Sequence, residues 1–446
     1  MTIPAPAEVG SSVRMPLVLM ALLVAARIAV VAAYPFLAAQ VPEWAWANND
    51  GYDVLAANWM ETGVYSLERG EPTALRLPLY PALLALVRIA AGAAYPWVTM
   101  VLQAALSVWT GVLLFRMSAR LFGRRVGALA AGLFIFHPQV NNFVFRCATE
   151  TLFTFLVVAL AHEAVRFVQT RQSRHLLGAS ACLGLSLLTR PTLAPLAGLC
   201  LPVLLGWSFA GRREMLRRLG WTAAAAGTVL LILAPWLARN WIRSGGEWVL
   251  QTWVGQPMCQ GVYVTRHLDE FLDGRKTLTQ LDQDCLTDIR LLDRRLSRSL
   301  PAGMGSLARE VAADRYFRER ARLIAEQSPP ERARQLFRNL LWAPVLQMTW
   351  RGTRILMPWN WPLLAFGLWG VIAGLRKYPR KWLEALPALV LFGYLYFGHA
   401  ATWPQARYVL PGLVPFLAFS ALGLAETVRA WTGRKPAEPE RRPSSI

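Results

Sequence analysis

The sequence predicts an all-α polytopic membrane protein with about 10 transmembrane helices, outer-face juxtamembrane or re-entrant helices, and a long outer loop. Three observations carry this. Of 446 residues, 55% are hydrophobic and 17% are charged, whereas a soluble domain carries about 25% charged residues. The apolar residues fall in long blocks, such as 15–39, 221–238 and 404–425, and not in the alternation of a half-buried strand. Each block approaches the roughly 20 residues that carry a helix across about 30 Å of hydrocarbon, and a helix satisfies its own backbone where lipid offers no partners.

The elements follow in order. A polar start and Arg14 lead into a first span near 15–37. It is long for a signal peptide and more spans follow, so it reads as uncleaved. Residues 41–96 form the first outer loop, with a short helix starting around Asp53. The run 78–91 begins LPLYP and contains Arg88; it reads as a re-entrant or interfacial helix, because counting it as a span would put every later basic loop outside. Further spans lie near 97–117, 126–138, 150–168, 176–190, 193–209 and 219–238. Between them, Arg116, Arg120, Arg124 and Arg125, then Arg166, Arg171 and Arg174, then Arg212, Arg213, Arg217 and Arg218 mark cytoplasmic loops. Arg376, Lys377, Arg380 and Lys381 mark a fourth, between spans near 361–375 and 383–400, before a last span near 408–426.

The chain therefore divides into an N-terminal transmembrane catalytic module (1–240), a long extracytoplasmic loop with interfacial helices (241–360), C-terminal transmembrane helices (361–426) and a disordered cytoplasmic tail (427–446). The long loop is itself arginine-rich, but long loops are exempt from the charge rule. Its stretch 282–327 reads as a polar helix, and 332–357 as a helix lying in the membrane interface. Trp342, Trp350, Trp359 and Trp361 suit an aromatic belt there. Cys259 and Cys285 both fall in this loop, where two readings stay open: a disulfide of the kind found outside the cytoplasm, or two unrelated thiols.

Net charge is +20, nearly all from arginine. That balance suits anionic lipid head groups. It argues against nucleic acid, because the charges do not gather in one soluble module. The five cysteines and five histidines are scattered without metal-ligand spacing, so neither a metal cluster nor a cofactor is expected.

Polar residues gather at the predicted outer face. Asp50 and Asp53 stand in NNDGYDVLAANW; Asp53 could equally cap the helix that starts there, while Asp50 precedes a glycine. Glu150, in RCATETLFTF, stands at the outer end of a span, where an acid is costly enough to suggest function. Arg76, Arg190, Arg239 and Arg407 all map to outer span ends. A single such arginine is ordinarily a snorkelling one. Four on one face, opposite the acids, suggest an anionic ligand, since guanidinium forks match phosphate oxygens. A carboxylate can deprotonate an attacking hydroxyl, and cations can stabilise a phosphate leaving group.

These segments resemble the polytopic glycosyltransferases of the C superfamily, especially bacterial relatives of the dolichyl-phosphate-mannose–protein mannosyltransferases and of the lipid A aminoarabinose transferase. DGYDVLAANWMETGVYS and RLPLYPALLAL are similar to that family's first outer loop, and TETLFTF, GLSLLTRPT, PWLARNW and RYVLPGLVPF follow in its order. The resemblance implies an inverting transferase in the bacterial inner (cytoplasmic) membrane. It would move a sugar from a polyprenyl-phosphate donor to a lipid, glycan or protein acceptor on the extracytoplasmic face, without cofactor or obligatory metal. It implies Asp50 as the base, with Asp53 the nearby alternative because Asn48 stands where relatives carry the acid. It implies Glu150 as a second acid, Arg76, Arg190, Arg239 and Arg407 as holders of the donor phosphate, and Tyr80, Asn240 and Tyr408 as cavity lining. A multi-span transporter or lipid flippase is the competing expectation.

Overall fold

In the computed structural model the described residues are 14–40, 46, 50–198, 212–287, 300, 301, 303–326 and 329–433. Asn48, most of the span expected at 193–209 and the tail beyond 433 lie outside them. Among the described residues there are helices and no strand. In chain order they are α1 (Leu17–Ala32), α2 (Tyr34–Gln40), α3 (Tyr52–Thr62), α4 (Leu79–Ala91), α5 (Tyr95–Phe122), α6 (Arg124–Phe136), α7 (Pro138–Val144), α8 (Glu150–Thr170), α9 (Ser173–Leu187), α10 (Arg212–Ser244), α11 (Gly255–Arg266), α12 (Leu268–Leu272), α13 (Ser306–Glu326), α14 (Pro329–Trp342), α15 (Trp350–Lys377), α16 (Trp382–Thr402) and α17 (Ala406–Thr432).

Six of the described helical runs are long and apolar enough to cross a membrane: Leu79–Phe122, Glu150–Thr170, Met215–Ser244, Trp350–Lys377, Trp382–Thr402 and Ala406–Thr432. The apolar α1, α6 and α9 are shorter. α6 stops at Phe136 because Pro138 follows: the residue before a proline is pushed to an extended backbone, and His137 has ψ 117°.

Two boundaries differ from the sequence expectation. The interfacial helix expected at 332–357 is two helices, broken after Trp342, with Thr349 capping the second by accepting from the Gly352 amide at 3.2 Å. The span expected from 361 begins at Trp350 and runs through Pro358 and Pro362. Proline signals a break, and here the packing of α15 on α17 overrides it. Gly370 and Gly423 make that packing possible. A Cβ on Gly370 would run into the carbonyl of Phe419, and one on Gly423 into the carbonyl of Phe366. Small residues let two membrane helices approach this closely.

The main core lies where α5, α6, α8, α16 and α17 meet, with Phe134, Phe153, Phe416 and Phe419 buried in it. The basic loops collect at one end of the bundle. Arg120 lies near Arg116 and Arg166, and the Lys381 ammonium donates to the Arg120 carbonyl at 3.2 Å. Asp50 and Glu150 lie elsewhere, at the N-termini of α3 and α8.

Candidate active site

Four chain segments converge on the two acids. Gly51 turns the chain between Asp50 and α3 with φ +82°, a left-handed conformation that favours glycine, and a Cβ there would press on Leu67. That turn leaves Asp50 outside the helix. Glu150 is the first residue of α8, where its charge meets the positive end of the helix dipole. Arg190 is held extended by Pro191, just past the end of α9. Arg407 is in the first turn of α17, which Pro404 and the extended Gln405 introduce.

Arg407 joins the acids. Its guanidinium stands 3.9 Å from the Asp50 carboxylate and 3.9 Å from that of Glu150. Arg190 pairs with Glu150 at 2.6 Å and donates to the Thr149 hydroxyl at 2.8 Å. The Tyr408 ring packs against both guanidiniums, at 5.4 Å from Arg190 and 4.7 Å from Arg407, and its hydroxyl accepts from Arg407 at 2.6 Å. His399 stacks on that ring at 5.1 Å. Arg76 closes the rim: it donates to the Asp50 carbonyl at 3.2 Å and lies 4.8 Å over Trp253.

The two acids differ in exposure. The Glu150 side chain is 2% exposed and the Asp50 side chain 49% exposed. Burial works to raise the Asp50 pKa, and the guanidiniums of Arg407, Arg76, Arg190 and Arg146 overcome it, holding the carboxyl below its ordinary value. Asp50 is therefore a solvent-reachable carboxylate at neutral pH. Beside Glu150, a small pocket is lined by Ser107, Thr110, Thr151 and Thr154 together with Phe134, Val140, Phe143 and Leu410. Arg27, buried in the first span, donates to Ser107 at 2.8 Å.

The remaining sequence candidates stand apart. Asp53 neither caps α3, whose N-cap is Gly51, nor meets Arg407: Arg88 binds it at 2.7 Å and the Tyr95 hydroxyl at 2.8 Å. Arg239 donates to the carbonyls of Thr73 and Tyr65 and to Asn240, and Asn240 donates to the Val249 carbonyl. Arg239 thus braces the loop ahead of α4, and Asn240 the loop that follows α10. Tyr80 is fully buried, edge-on to Tyr52, with its hydroxyl on Gln103 at 3.0 Å. Sequence reasoning missed Arg146, Thr149, Trp253 and His399. Arg146 and Thr149 sit in the motif that carries Glu150, so proximity to it was their signal; Trp253 and His399 had none. Cys259 and Cys285 are free thiols buried in one small cluster with Phe317 and Ala321.

Residues 72–238 match the family model described as dolichyl-phosphate-mannose-protein mannosyltransferase. No curated protein matches the chain in sequence. Among solved structures, the fold is similar to the oligosaccharyltransferase AglB of Archaeoglobus fulgidus in complex with an inhibitory peptide and a dolichol-phosphate, at 16% identity and a TM-score of 0.50, covering 96% of this chain and 52% of that one. The apo form of the Archaeoglobus fulgidus oligosaccharyltransferase matches at 16% identity and a TM-score of 0.50, covering 96% and 53%. ArnT of Cupriavidus metallidurans, bound to undecaprenyl phosphate, matches at 13% identity and a TM-score of 0.39, covering 95% and 81%. The chain spans about half the length of the archaeal enzyme. The chain is thus similar to the dolichyl-phosphate-mannose-protein mannosyltransferase family over residues 72–238, and its fold is similar to that of the archaeal oligosaccharyltransferase.

Proposed function

We propose that the protein is an inverting, polyprenyl-phosphate-sugar-dependent glycosyltransferase of the bacterial inner membrane, acting on the extracytoplasmic face. The observation that carries this is a half-exposed carboxylate, Asp50, within 3.9 Å of an arginine that also reaches buried Glu150, with a second arginine beside it. An acid to take a proton and guanidiniums to receive a phosphate are the two parts such a transfer needs. The archaeal relative in fold was solved with a dolichol-phosphate, which supports a lipid-phosphate ligand for this chain.

In the reaction, the acceptor hydroxyl attacks the anomeric carbon of the donor sugar and gives its proton to Asp50. The bond from that carbon to the phosphate oxygen breaks, the configuration inverts, and polyprenyl phosphate leaves. Arg190 and Arg407 hold that phosphate, with Arg76 at the rim. Glu150 positions the two arginines rather than serving as base, because its carboxylate is enclosed and paired. Asp53, Arg239 and Asn240 build the walls. Gathering of the basic loops at the other end of the bundle supports the outer placement of Asp50.

The test is transfer of labelled sugar from a polyprenyl-phosphate donor in proteoliposomes. Asp50→Asn is expected to lose about 10²–10⁴-fold in turnover while still binding undecaprenyl phosphate, and Asp53→Asn to keep turnover within tenfold. Full activity of Asp50→Asn would overturn the reading.

A further inference from the structure

Away from the acids, a cavity of about 680 Å³ lies between α11, α13, α14 and the end of α16. That is the size of a ligand site. Its floor is apolar: Met258, Val262, Ala321 and Ala401. Its charged lining is Arg315, Arg318, Arg322 and Arg332 against a single acid, Glu319. Arg315 pairs with Glu247 at 2.6 Å and Arg318 with Asp314. Asp314 in turn is buried and shared with the amides of Val254 and Gly255. Arg322 and Arg332 are both exposed.

The position of the cavity narrows its occupant. α14 is fixed to the protein on one face, where Arg338 binds Asp269 at 2.5 Å and Asn339 binds Thr265 at 3.1 Å and the Ala400 carbonyl at 2.9 Å. Its other face exposes Leu336, Phe337 and Leu341. Arg332 stands one turn before Leu336 on that helix. An apolar face with arginine one turn away is what a helix presents when it lies at the level of lipid head groups. One helix, α16, links the cavity to the acid–arginine cluster. Ala401 and Thr402 line the cavity, and His399, just before them on α16, stacks on Tyr408.

We infer that this cavity receives the phosphate-bearing head group of a membrane amphiphile, and that this amphiphile is the sugar acceptor. Guanidiniums read the phosphate, and the apolar floor takes the adjoining hydrocarbon. The role as acceptor site rests on the transferase reading; the binding does not.

The experiment measures retention of dioctanoyl phosphatidic acid by the purified full-length chain in detergent, against dioctanoyl phosphatidylcholine and inorganic phosphate. The wild type is expected to prefer phosphatidic acid at least tenfold over phosphatidylcholine, with inorganic phosphate a poor competitor. Arg322→Gln with Arg332→Gln is expected to cut retention fivefold or more. The double lysine variant, which keeps the charge, is expected to restore it, and Arg69→Gln, at an exposed arginine outside both sites, to leave it within twofold. No preference in the wild type, equal retention by the double Gln variant, or complete displacement by inorganic phosphate overturns the site. In the transfer assay the double Gln variant is expected to raise the acceptor KM and leave the donor KM unchanged; a raised donor KM overturns the acceptor role. Absence of transfer with any donor, beside intact phosphatidic acid binding, would instead sink the transferase reading alone.

Discussion

Asp50 and Asp53 are three residues apart and have opposite fates. Gly51 lets the chain turn between them, so that Asp53 enters α3 and meets Arg88 and Tyr95, while Asp50 stays out in front of Arg407. Because the Asp50 pKa is held below its ordinary value, its charge is complete at neutral pH and is lost only as pH falls through that depressed value. At subsaturating donor, turnover is therefore expected to hold level from neutral pH down into the ordinary carboxylate range and to fall only below it. Arg407→Gln removes the largest opposing cation, so the acid limb of the pH–rate profile is expected to move upward, with a lower maximum rate. An acid limb unmoved by that change would show that Asp50 is not the titrating base. The sequence alone carried both acids as candidates, and no pattern in DGYDV separates them. The choice depends on Arg88 and Tyr95, which lie 35 and 42 residues further along.

At the scale of elements, two contacts set the geometry. Glu310 on α13 accepts from the Thr73 hydroxyl at 2.6 Å, the Ala74 amide at 3.0 Å and the Thr252 hydroxyl at 2.8 Å. It ties the long loop to the segment that carries Arg76. Glu310→Ala is expected to cost about 1–3 kcal/mol, the penalty for stranding buried partners, read as an earlier midpoint of thermal inactivation in detergent. The second contact is the glycine-lined crossing of α15 and α17. Gly370→Leu is expected to force the helices apart and to cost about 1–3 kcal/mol or more, with a lower midpoint and loss of the α17 N-terminus as a stable mount for Arg407. Both contacts were hidden from the sequence. A glycine in an apolar run carries no sign of its partner, and the hydrogen bonds of Glu310 span more than 230 residues to reach Thr73. Helix existence was legible because long apolar runs speak for themselves. The boundaries around 343–357 were not, because tryptophan and arginine suit an interfacial helix and a span end equally.

For the whole molecule, the arginine distribution anticipated an arrangement the fold repeats. Clusters separated by dozens of residues in sequence meet at one end, while the acids stand at helix N-termini elsewhere. This gives a topology experiment. Cysteine at exposed Glu68 is expected to react with an impermeant maleimide in intact spheroplasts, and cysteine at exposed Ser173 only after permeabilisation. The reverse pattern would invert the protein in the membrane and remove the outer-face reading. The long loop is where the sequence said least. Its arginines read as a tolerated exception to the charge rule, and only folding brings four of them around one cavity.

Arg407 lies within 3.9 Å of two acids at once, and on the transferase reading this makes the site responsive to its donor. A phosphate arriving between Arg190 and Arg407 withdraws positive charge from Asp50. The proton affinity of that carboxylate then climbs, and it becomes a stronger base at the moment a sugar is in reach. The acid limb of turnover is then expected to lie higher at saturating than at subsaturating donor, set by charge without any moving lid.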